Sequence, residues 1–381
     1  MYNGFGGKMP KKKANLVIDP QPLPQKVGVI FSDVQREYFP TEEQYITEKD
    51  ARTDAEIISR YIDELGIVPI LHAGNAALPA WLRKEAPDMV VNLVDSINGT
   101  ESLASAIPGV LELLGIPYTG SGILGMSLDT NKFVIKKLLQ QNGVPVPNYQ
   151  LVNQADDYLD PAIRFPLISK LNAIHGSVEI TEDAVSENTK QLRKRLRRLI
   201  NIYKQPVLVE EFICGREITA IVIQENKKKK VYLAEKIFTH VDRKYQFLTF
   251  EDQWLTEMNA AFHYVRYEDP LLKEYVKMAF TVTRMTGYAK FDIRLDQSGR
   301  YFFIDSNCNP ALGPKELDVA LAVILDLYGI GFADILKQII ISAGSQKNNQ
   351  HGRHKTNGRK SKNQTTQSQA EVTAVPIQKI N

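Results

Sequence analysis

Short apolar runs alternate with amphipathic stretches over the N-terminal part of this chain, and this order constrains the fold more than any other feature. The predicted strands are Val27–Phe31, Val68–Leu71 and Met89–Leu93, and the predicted helices span 53–65 and 101–114. Strands that alternate with helices predict a parallel sheet covered by helices, with ligand contacts at the carboxyl ends of the strands. Asn92, Asp95 and Ser96 lie at one such end.

Two further units follow the loop Tyr118–Gly122 and a predicted helix over 131–142, which Gly143 and two prolines bring to an end. Their predicted elements are a strand over 165–170, a basic helix over 189–203, a strand over 207–213 and two hairpin strands over 217–223 and 231–237. Mixed short strands and helices are typical of small α+β modules. The whole chain therefore belongs to the α/β class.

The segment Gly287–Pro310 is predicted to be a hairpin whose strands carry two carboxylates and a carboxamide. Asp292 lies on the first strand, and Asp305 and Asn307 are two apart on the second, so they share a face. Such oxygen ligands suit Mg²⁺, which keeps waters and phosphate oxygens among its other ligands. A half-exposed antiparallel strand shows the same alternation, so the metal site is predicted only in combination with other motifs.

At 381 residues, with 43% hydrophobic and 24% charged residues, the chain has material for two or three packed units. It has no apolar run long enough to span a membrane, and Cys214 and Cys308 match neither a zinc spacing nor a disulfide framework, so a cytoplasmic protein is expected. Cys308 is predicted to be a buried, unreactive thiol.

The basic ends 1–24 and 345–381 are predicted to be disordered. Contact of the tail with nucleic acid or an anionic surface is the alternative to a solvated segment.

Two lysines are the candidate phosphate ligands. Lys132 lies at a helix start, and Lys170 ends an apolar strand. His175, Gly176 and Ser177 follow in a small-residue loop, whose backbone N–H groups can approach an anion. An ordinary surface lysine is the alternative for each of the two lysines.

An acidic strand end is predicted to be the hinge between the second and third units. A backbone edge can hydrogen-bond a base, and a carboxylate can accept both hydroxyls of a ribose. Glu217 is the ribose candidate and Glu210 the candidate on the adenine side, and Glu211, Phe212 and Ile213 border the base. Solvated acids at a plain strand end are the alternative.

Two lysines, an acidic hinge and an Asp/Asp/Asn hairpin in this order resemble the ATP-grasp superfamily and, within it, the D-alanine:D-alanine ligase branch. The resemblance covers about residues 26–340 and is strongest in the motifs Tyr118–Gly122, Val209–Glu217 and Asp305–Pro310. It implies an ATP-grasp fold, in which an N-terminal parallel α/β domain precedes two α+β lobes that sandwich ATP. The implied units are a Rossmann-like domain over 25–125, a central lobe over 126–213 and a C-terminal lobe with the metal site over 214–344.

The resemblance also implies the chemistry. A carboxylate attacks the γ-phosphate of ATP, and an amine captures the acyl phosphate as an amide, while lysines and Mg²⁺ neutralise the phosphoryl group. Two metal ions are implied, with Mn²⁺ as a substitute. The segment 238–245 is similar to the family's mobile lid, so Lys244 would reach the phosphates and Tyr245 would border the substrates. Lys290 stands where the family usually has an arginine that holds the acyl phosphate; it keeps the charge without the bidentate fork. Lys290, Lys244 and Tyr245 are therefore the candidate catalytic residues.

The implied partners are a small carboxylate and an amine, either amino acids or short peptides, together with a second copy of the chain in a homodimer. Four positions depart from the family. Glu316 stands where a serine binds the second substrate's carboxylate, and two carboxylates would repel each other. Asp33 or Glu37 is the candidate replacement for the glutamate that holds the first substrate's amine. Glu179 replaces a common glycine, and Asp305 replaces the usual glutamate. The chain is thus predicted to be an ATP-dependent ligase with a diverged substrate site. An authentic D-alanine:D-alanine ligase and a non-catalytic ATP-binding regulator are the alternatives.

Overall fold

The computed structural model describes residues 22–239, 242–256 and 260–355. The predicted disorder of the basic N-terminus lies almost wholly outside the described residues, as does that of the tail from residue 356. The strands are β1 Lys26–Phe31, β2 Val68–Ala73, β3 Met89–Leu93, β4 Tyr149–Val152, β5 Leu167–Leu171, β6 Val185–Ser186, β7 Val207–Glu211, β8 Gly215–Glu225, β9 Lys228–Phe238, β10 Phe262–Tyr267, β11 Tyr288–Asp296 and β12 Tyr301–Asn307. The α-helices are α1 Glu42–Ile46, α2 Ala51–Glu64, α3 Leu78–Glu85, α4 Ala106–Leu114, α5 Ile123–Asp129, α6 Lys132–Gln141, α7 Thr189–Tyr203, α8 Phe250–Trp254, α9 Pro270–Val282, α10 Ala320–Leu327 and α11 Phe332–Lys355.

The N-terminal unit is a parallel sheet with the strand order β2-β1-β3. Val27 and Val29 of β1 are fully buried and pack in one core with Ile58 and Ile62 of α2. Because all three strands are parallel, their carboxyl ends meet at one edge, where Leu93 is followed by a polar loop. The predicted parallel unit is confirmed.

Two antiparallel sheets follow, one per lobe, with the orders β4-β7-β5-β6 and β10-β9-β8-β11-β12. In the central lobe, α7 buries Leu192, Leu196 and Leu199 against the sheet and turns most of its charged side chains outward, whereas Arg195 is buried and donates to Ser169. The three buried positions follow the period of an amphipathic helix, which is why the basic sequence still forms a packed element. The predicted α/β class, with a parallel unit before two α+β lobes, is confirmed.

The helix predicted over 101–114 is divided in the structure. A 3-10 helix, Glu101–Ser105, leads into α4. Pro108 explains the change, because a proline has no N–H to donate to the carbonyl four residues earlier. The division leaves Glu101 at the start of the segment, close to the central lobe.

The C-terminal boundary also differs from the prediction. The chain was predicted to become disordered after residue 344, whereas α11 continues to Lys355. The helix is anchored by Ile335, Ile339 and Ile340, which are buried in the core shared with β1 and α2. Among the described residues, no helix combines the length and the apolar character that crossing a bilayer requires.

Candidate nucleotide and metal site

The central and C-terminal lobes meet where β5 approaches β12. Nζ of Lys170 donates to the main-chain oxygen of Ile304 at 3.0 Å, and Nζ of Lys136 donates to the same oxygen at 3.0 Å. Lys170 is the predicted phosphate ligand, and Ile304 directly precedes the predicted metal ligand Asp305. The structure therefore brings the phosphate and metal motifs together.

Glu210 lies under this contact and is fully buried. Its Oε1 is 2.7 Å from Nζ of Lys136, and its Oε2 is 2.9 Å from Nζ of Lys170. Burial opposes ionisation of Glu210, but the two lysines outweigh it and lower the pKa of the carboxyl. Burial lowers the pKa of Lys136 to about 8 in spite of Glu210. The adenine-side role predicted for Glu210 stays a prediction; in the structure its carboxylate holds the two lysines in place.

Lys132 and His175 approach the same place from α6 and the small-residue loop. Nζ of Lys132 donates to the main-chain oxygen of Ile174 at 2.9 Å. The carboxylate of Glu101 accepts from the main-chain N of His175 at 2.8 Å and lies 2.6 Å from its Nδ1. Burial and Lys132 oppose protonation of the ring, but Glu101 and Asp129 outweigh them and raise the pKa of His175. The raised pKa makes the imidazolium more accessible to His175 than to a free imidazole, and that form suits an anionic ligand.

The rest of the loop is fixed between the N-terminal unit and α8. Trp254 Nε1 donates to the main-chain oxygen of Gly176 at 2.8 Å, and Ser177 Oγ donates to Gln253 Oε1 at 2.8 Å. Gly176 has a φ of +69°, and a Cβ there would lie 2.8 Å from Thr47 Cγ2. A side chain at Gly176 would thus be both strained and crowded.

Glu179, noted as a departure, has a structural explanation. Its side chain is buried, and its two carboxylate oxygens accept from Arg198 at 2.6 and 2.9 Å. Tyr203 OH donates to the same carboxylate at 3.2 Å. This bidentate pair joins the end of the loop to α7.

The predicted metal residues lie side by side on β11 and β12. Asp292 is opposite Asp305, and Lys290 is opposite Asn307. Nζ of Lys290 is 3.0 Å from Oδ2 of Asp292, while Thr219 Oγ1 donates to Oδ1 of Asp292 at 2.8 Å. The hairpin thus presents two carboxylates and one ammonium on one face.

Electrostatics keep both carboxylates of this pair ionised. Burial opposes ionisation of Asp305, but Lys132, His175, Lys170 and Lys290 outweigh it and hold its pKa well below the usual range. The pKa of Asp292 is lowered in the same way, with Lys290 as the main opposing charge to burial.

The donor set fits Mg²⁺. Within 22–239, 242–256 and 260–355, no group of three or more His, Cys, Asp or Glu side chains forms a metal cage. Mg²⁺ needs only one or two carboxylates when phosphate oxygens and waters complete its shell. Asp292 and Asp305 supply those carboxylates; Oδ1 of Asn307 accepts from the main-chain N of Asn309 at 3.0 Å and has a second lone pair.

The hinge places an ion cluster beside the metal hairpin. The carboxylate of Glu217 lies between Lys236, at 2.6 Å, and Arg294, at 3.0 Å. Burial opposes ionisation of Glu217, but these two cations lower its pKa. Oε1 of Glu211 instead accepts from the main-chain N of Arg164 at 2.8 Å, and Ile213 lies in the connection to β8.

The predicted lid residues lie at the rim of the site. Lys244 pairs with Glu187 of the central lobe, and Tyr245 OH donates to the same carboxylate at 3.3 Å. The ring of Phe212 lies 5.1 Å from that of Tyr245, between the hinge and the lid. Residues 240 and 241 of the predicted lid lie outside the described residues. The structure thus brings Lys244 and Tyr245 to the hinge and to Glu187, away from the hydrogen-bond network of the metal hairpin.

Four charged residues that hold the candidate ligands in place were not predicted from the sequence: Lys136, Glu101, Lys236 and Arg294. Lys136 is four residues after Lys132 on one helix, so the spacing carried a signal. Lys236 and Arg294 pair with Glu217 across neighbouring strands of one sheet, and Glu101 reaches His175 in a loop of the central lobe.

The candidate substrate residues have other partners. Glu316 is exposed and accepts from Tyr61 OH at 2.7 Å. Asp33 accepts from Asn75 Nδ2 at 2.8 Å, and Glu37 lies in an exposed 3-10 turn. Cys308 is buried, as predicted.

Two carboxyl groups at the edge of the parallel sheet have raised pKa values. Glu48 is buried and accepts from Ser96 Oγ at 2.7 Å; burial and the charge of Asp95 raise its pKa to about 8. Burial and Glu101 raise the pKa of Asp95 to about 7. The donors at Glu48 are the hydroxyls of Ser96 and Ser32, and the acids Asp95 and Glu101 are the charges that face it.

Replacing Glu48 with glutamine is expected to flatten the dependence of stability on pH. Because the folded-state pKa of Glu48 lies above the usual value of 4.5, its stabilising contribution is complete below pH 4.5 and is lost as the pH rises to about 8. Glu48→Gln should therefore raise the free energy of unfolding by about 2 to 4 kcal/mol at pH 8 and change it little at pH 4.5. Denaturant titrations at both pH values measure this. The exposed Glu64→Gln on α2 is the control, and an equal effect at both pH values would contradict the assignment.

The chain is similar to known proteins over much of its length. Residues 138–341 match the family model described as the D-ala D-ala ligase C-terminus. An uncharacterized protein of Sinorhizobium fredii is 28% identical over 281 residues, which cover 71% of this chain and 82% of the relative. A D-alanine-D-alanine ligase of Geobacter sulfurreducens is 26% identical over 279 residues, with 71% and 84% covered.

Solved structures share the fold. The D-alanine-D-alanine ligase from Bacillus anthracis complexed with ATP has a TM-score of 0.64 at 19% identity and covers 86% of this chain and 99% of its own. The enzyme from Coxiella burnetii has a TM-score of 0.62 at 17% identity, with 88% and 98% covered. The predicted ATP-grasp fold is confirmed. Since the family model spans more than half of the sequence, the chain belongs to the D-Ala-D-Ala ligase C-terminal family and is an ATP-grasp protein of the D-Ala-D-Ala ligase-like class, whose members are ATP-dependent carbon-nitrogen ligases.

Proposed function

We propose that this protein joins a small-molecule carboxylate to an amine, with ATP as the energy source and an acyl phosphate as the intermediate. The observation that carries the proposal is the set of cations around Asp305, a carboxylate that they keep ionised at the meeting point of two lobes. A metal-bound triphosphate needs both features, because its charge must be neutralised while its metal needs anionic oxygens.

The residues divide the work as follows. Asp292, Asp305 and Asn307 hold the metal ion, Mg²⁺ or Mn²⁺, which when bound neutralises the transferring phosphoryl group. Lys132, Lys170 and the imidazolium of His175 bind phosphate oxygens, and the loop at Gly176 and Ser177 offers backbone donors. Two metal ions are proposed on the resemblance to the family alone.

The remaining candidates act on the substrates. Lys290 holds the developing acyl phosphate as a point charge, because its Nζ lies on the open face beside Asp292. Lys244 and Tyr245 close over the phosphates when the lid moves in from Glu187. Glu210, Glu211, Phe212 and Ile213 border the base, and Glu217 accepts the ribose hydroxyls.

The substrates are proposed to be amino acids or short peptides that differ from the family's usual pair. The relatives named D-alanine-D-alanine ligases support amino acids as a class. Glu316 and the hydrogen bond between Asp33 and Asn75 support divergence, since neither acid is arranged to hold a free amino acid in the family's way. A cytoplasmic homodimer is proposed from the similarity to the same ligases.

The test is ADP release by the purified protein with Mg-ATP and a panel of D- and L-amino acids, singly and in pairs. We expect one pair to stimulate release and Asp305→Ala to abolish it. Asp326→Ala on α10, an exposed carboxylate paired with Lys315, is the matched control and should behave as the wild type.

The alternatives give different results in this assay. Stimulation by D-alanine alone would identify an authentic D-alanine:D-alanine ligase. ATP binding without ADP release under any pair would contradict the ligase and support a regulator that only binds the nucleotide.

A further inference from the structure

Arg294 is the least expected charge in the site. It lies on β11 two residues after Asp292, is 3% exposed, and has no counterpart among the residues singled out from the sequence. Its guanidinium contacts three segments that border the proposed nucleotide site. Its Nη2 is 3.0 Å from Oε2 of Glu217 and 2.6 Å from the main-chain oxygen of Gln246, and its Nη1 donates to the main-chain oxygen of Gly215 at 3.2 Å. Its charge also lies 5.3 Å from the ring centroid of Phe212.

We infer that Arg294 is a positioning residue that orients the carboxylate of Glu217 toward the ribose and ties the lid segment to the hinge. The inference deepens the proposed function and rests on it for the identity of the ligand. It assigns the preference for a ribose with free hydroxyls to a residue that does not itself touch the nucleotide.

The geometry of the Glu217 carboxylate supports the first part. Lys236 occupies one oxygen and Arg294 the other, so the carboxylate plane is fixed from both sides. A carboxylate accepts about four hydrogen bonds in all, so each oxygen keeps a lone pair for one ribose hydroxyl. Without Arg294, only Lys236 would orient Glu217, and the carboxylate would turn toward that one cation.

The shape of the guanidinium supports the second part. Its N–H donors point in fixed directions within one plane, so this one side chain can donate hydrogen bonds to Glu217, Gly215 and Gln246 at the same time. Gly215 begins β8 beside the hinge, and Gln246 directly follows the predicted lid segment 238–245. A lysine would keep the charge but could not hold three acceptors in this arrangement.

A purely structural role is the competing explanation. One observation argues against it: the strand pairing of β11 with β8 is already set by a continuous backbone register. The affinity measurements below separate the two roles.

The test measures the affinity for ATP and for its 2′,3′-dideoxy analogue, which lacks both hydroxyls. We expect the wild type to prefer ATP. Arg294→Met should weaken ATP binding by about 10- to 100-fold, which corresponds to the loss of one or two oriented hydrogen bonds to a charged group. It should leave the affinity for the analogue nearly unchanged, so the preference disappears.

Three further variants make the result specific. Glu217→Gln should lose the same preference, and the double variant Arg294→Met/Glu217→Gln should lose no more than either single variant, because the two residues act as one unit. Arg294→Lys should give an intermediate preference. Arg216→Met is the matched control, since Arg216 neighbours Glu217 in sequence but makes an exposed pair with Glu235 and stacks on Tyr267. It should bind as the wild type.

An Arg294→Met variant that folds and keeps the wild-type preference for ATP overturns the inference. If Arg294→Met does not fold, Arg294→Lys decides the matter, because it retains a buried positive charge; an unchanged preference in Arg294→Lys contradicts the inference. Loss of affinity for ATP and the analogue in equal proportion also overturns it, since that result indicates a structural role. A wild type that prefers ATP but releases no ADP with any substrate pair contradicts the proposed ligase and leaves the role of Arg294 intact. A wild type without any preference for ATP overturns the inference.

Discussion

Replacing Lys290 with methionine is expected to lower the rate of substrate-dependent ADP release by about 10²- to 10³-fold, with a much smaller change in the KM for ATP. The size is that of removing one preorganised charge from a developing anion. The reason is position: Lys290 lies on the strand of Asp292 and opposite Asn307, so its ammonium shares a face with both predicted metal ligands. Its pKa is raised, because Asp292 outweighs the burial that opposes the charge, so the ammonium stays protonated through the physiological range.

Lys290 also neutralises Asp292, so the assay needs a control for metal binding. A Mg²⁺ titration of Lys290→Met separates the two effects, because a weaker metal site would be rescued by more Mg²⁺ and a lost phosphoryl contact would not. Lys290→Arg should retain most of the activity, since the charge is kept. Lys230 on β9 pairs with Glu225 at the end of β8, away from the metal hairpin, so Lys230→Met should have no effect on the rate. If Lys290→Met releases ADP at the wild-type rate, Lys290 does not stabilise the phosphoryl group and only pairs with Asp292.

The parts of the fold that local periodicity determines were predictable. The apolar run at β1 and the amphipathic period of α7 specify a strand and a helix in any context, and both elements lie within a residue of their predicted bounds. The pairing of Asp292 with Asp305 follows from a short turn between two strands, because the turn fixes the register. The sequence pattern therefore predicted the hairpin and the pairing of its two aspartates, while their role as metal ligands stays a prediction.

The non-local part of the site could not be predicted in the same way. Glu101 acquires its role by reaching His175 across two domains, and Arg294 by meeting Glu217 on a neighbouring strand. His175 and Glu217 are far in sequence from Glu101 and Arg294, and the position of a single charged residue shows no periodic pattern from which its partner could be predicted. Glu210 shows the converse: its strand was predicted, but its burial between two lysines depends on how α6 packs against β7. Charge pairs between residues that are distant in sequence are thus the feature that sequence patterns leave open.

Replacing Glu210 with glutamine is expected to be the most damaging single change to stability, lowering the free energy of unfolding by about 3 to 5 kcal/mol, the cost of leaving a buried charge without its partner. The ammonium groups of Lys136 and Lys170 both lie within 3 Å of the lost charge, so they would repel each other in a buried place. The loss should shrink as the pH rises. Without Glu210, the burial that opposes both charges should lower the folded-state pKa values of the two lysines below the usual 10.5, so the folded state should bind fewer protons than the unfolded state. Its stability should therefore climb between about pH 8 and pH 10, more steeply than that of the wild type.

Denaturant titrations of three variants measure this effect. Glu210→Gln/Lys136→Met removes one cation together with the anion, so it should be more stable than Glu210→Gln alone, although it has lost two native side chains. Glu211→Gln is the matched control, because its amide oxygen can still accept from the main-chain N of Arg164 at the end of the same strand. If Glu210→Gln is as stable as Glu211→Gln, or if its stability is flat between pH 8 and pH 10, the lysines do not depend on Glu210 for their charge. The order Glu211→Gln, then the double variant, then Glu210→Gln follows directly from counting the buried charges that each change leaves without a partner.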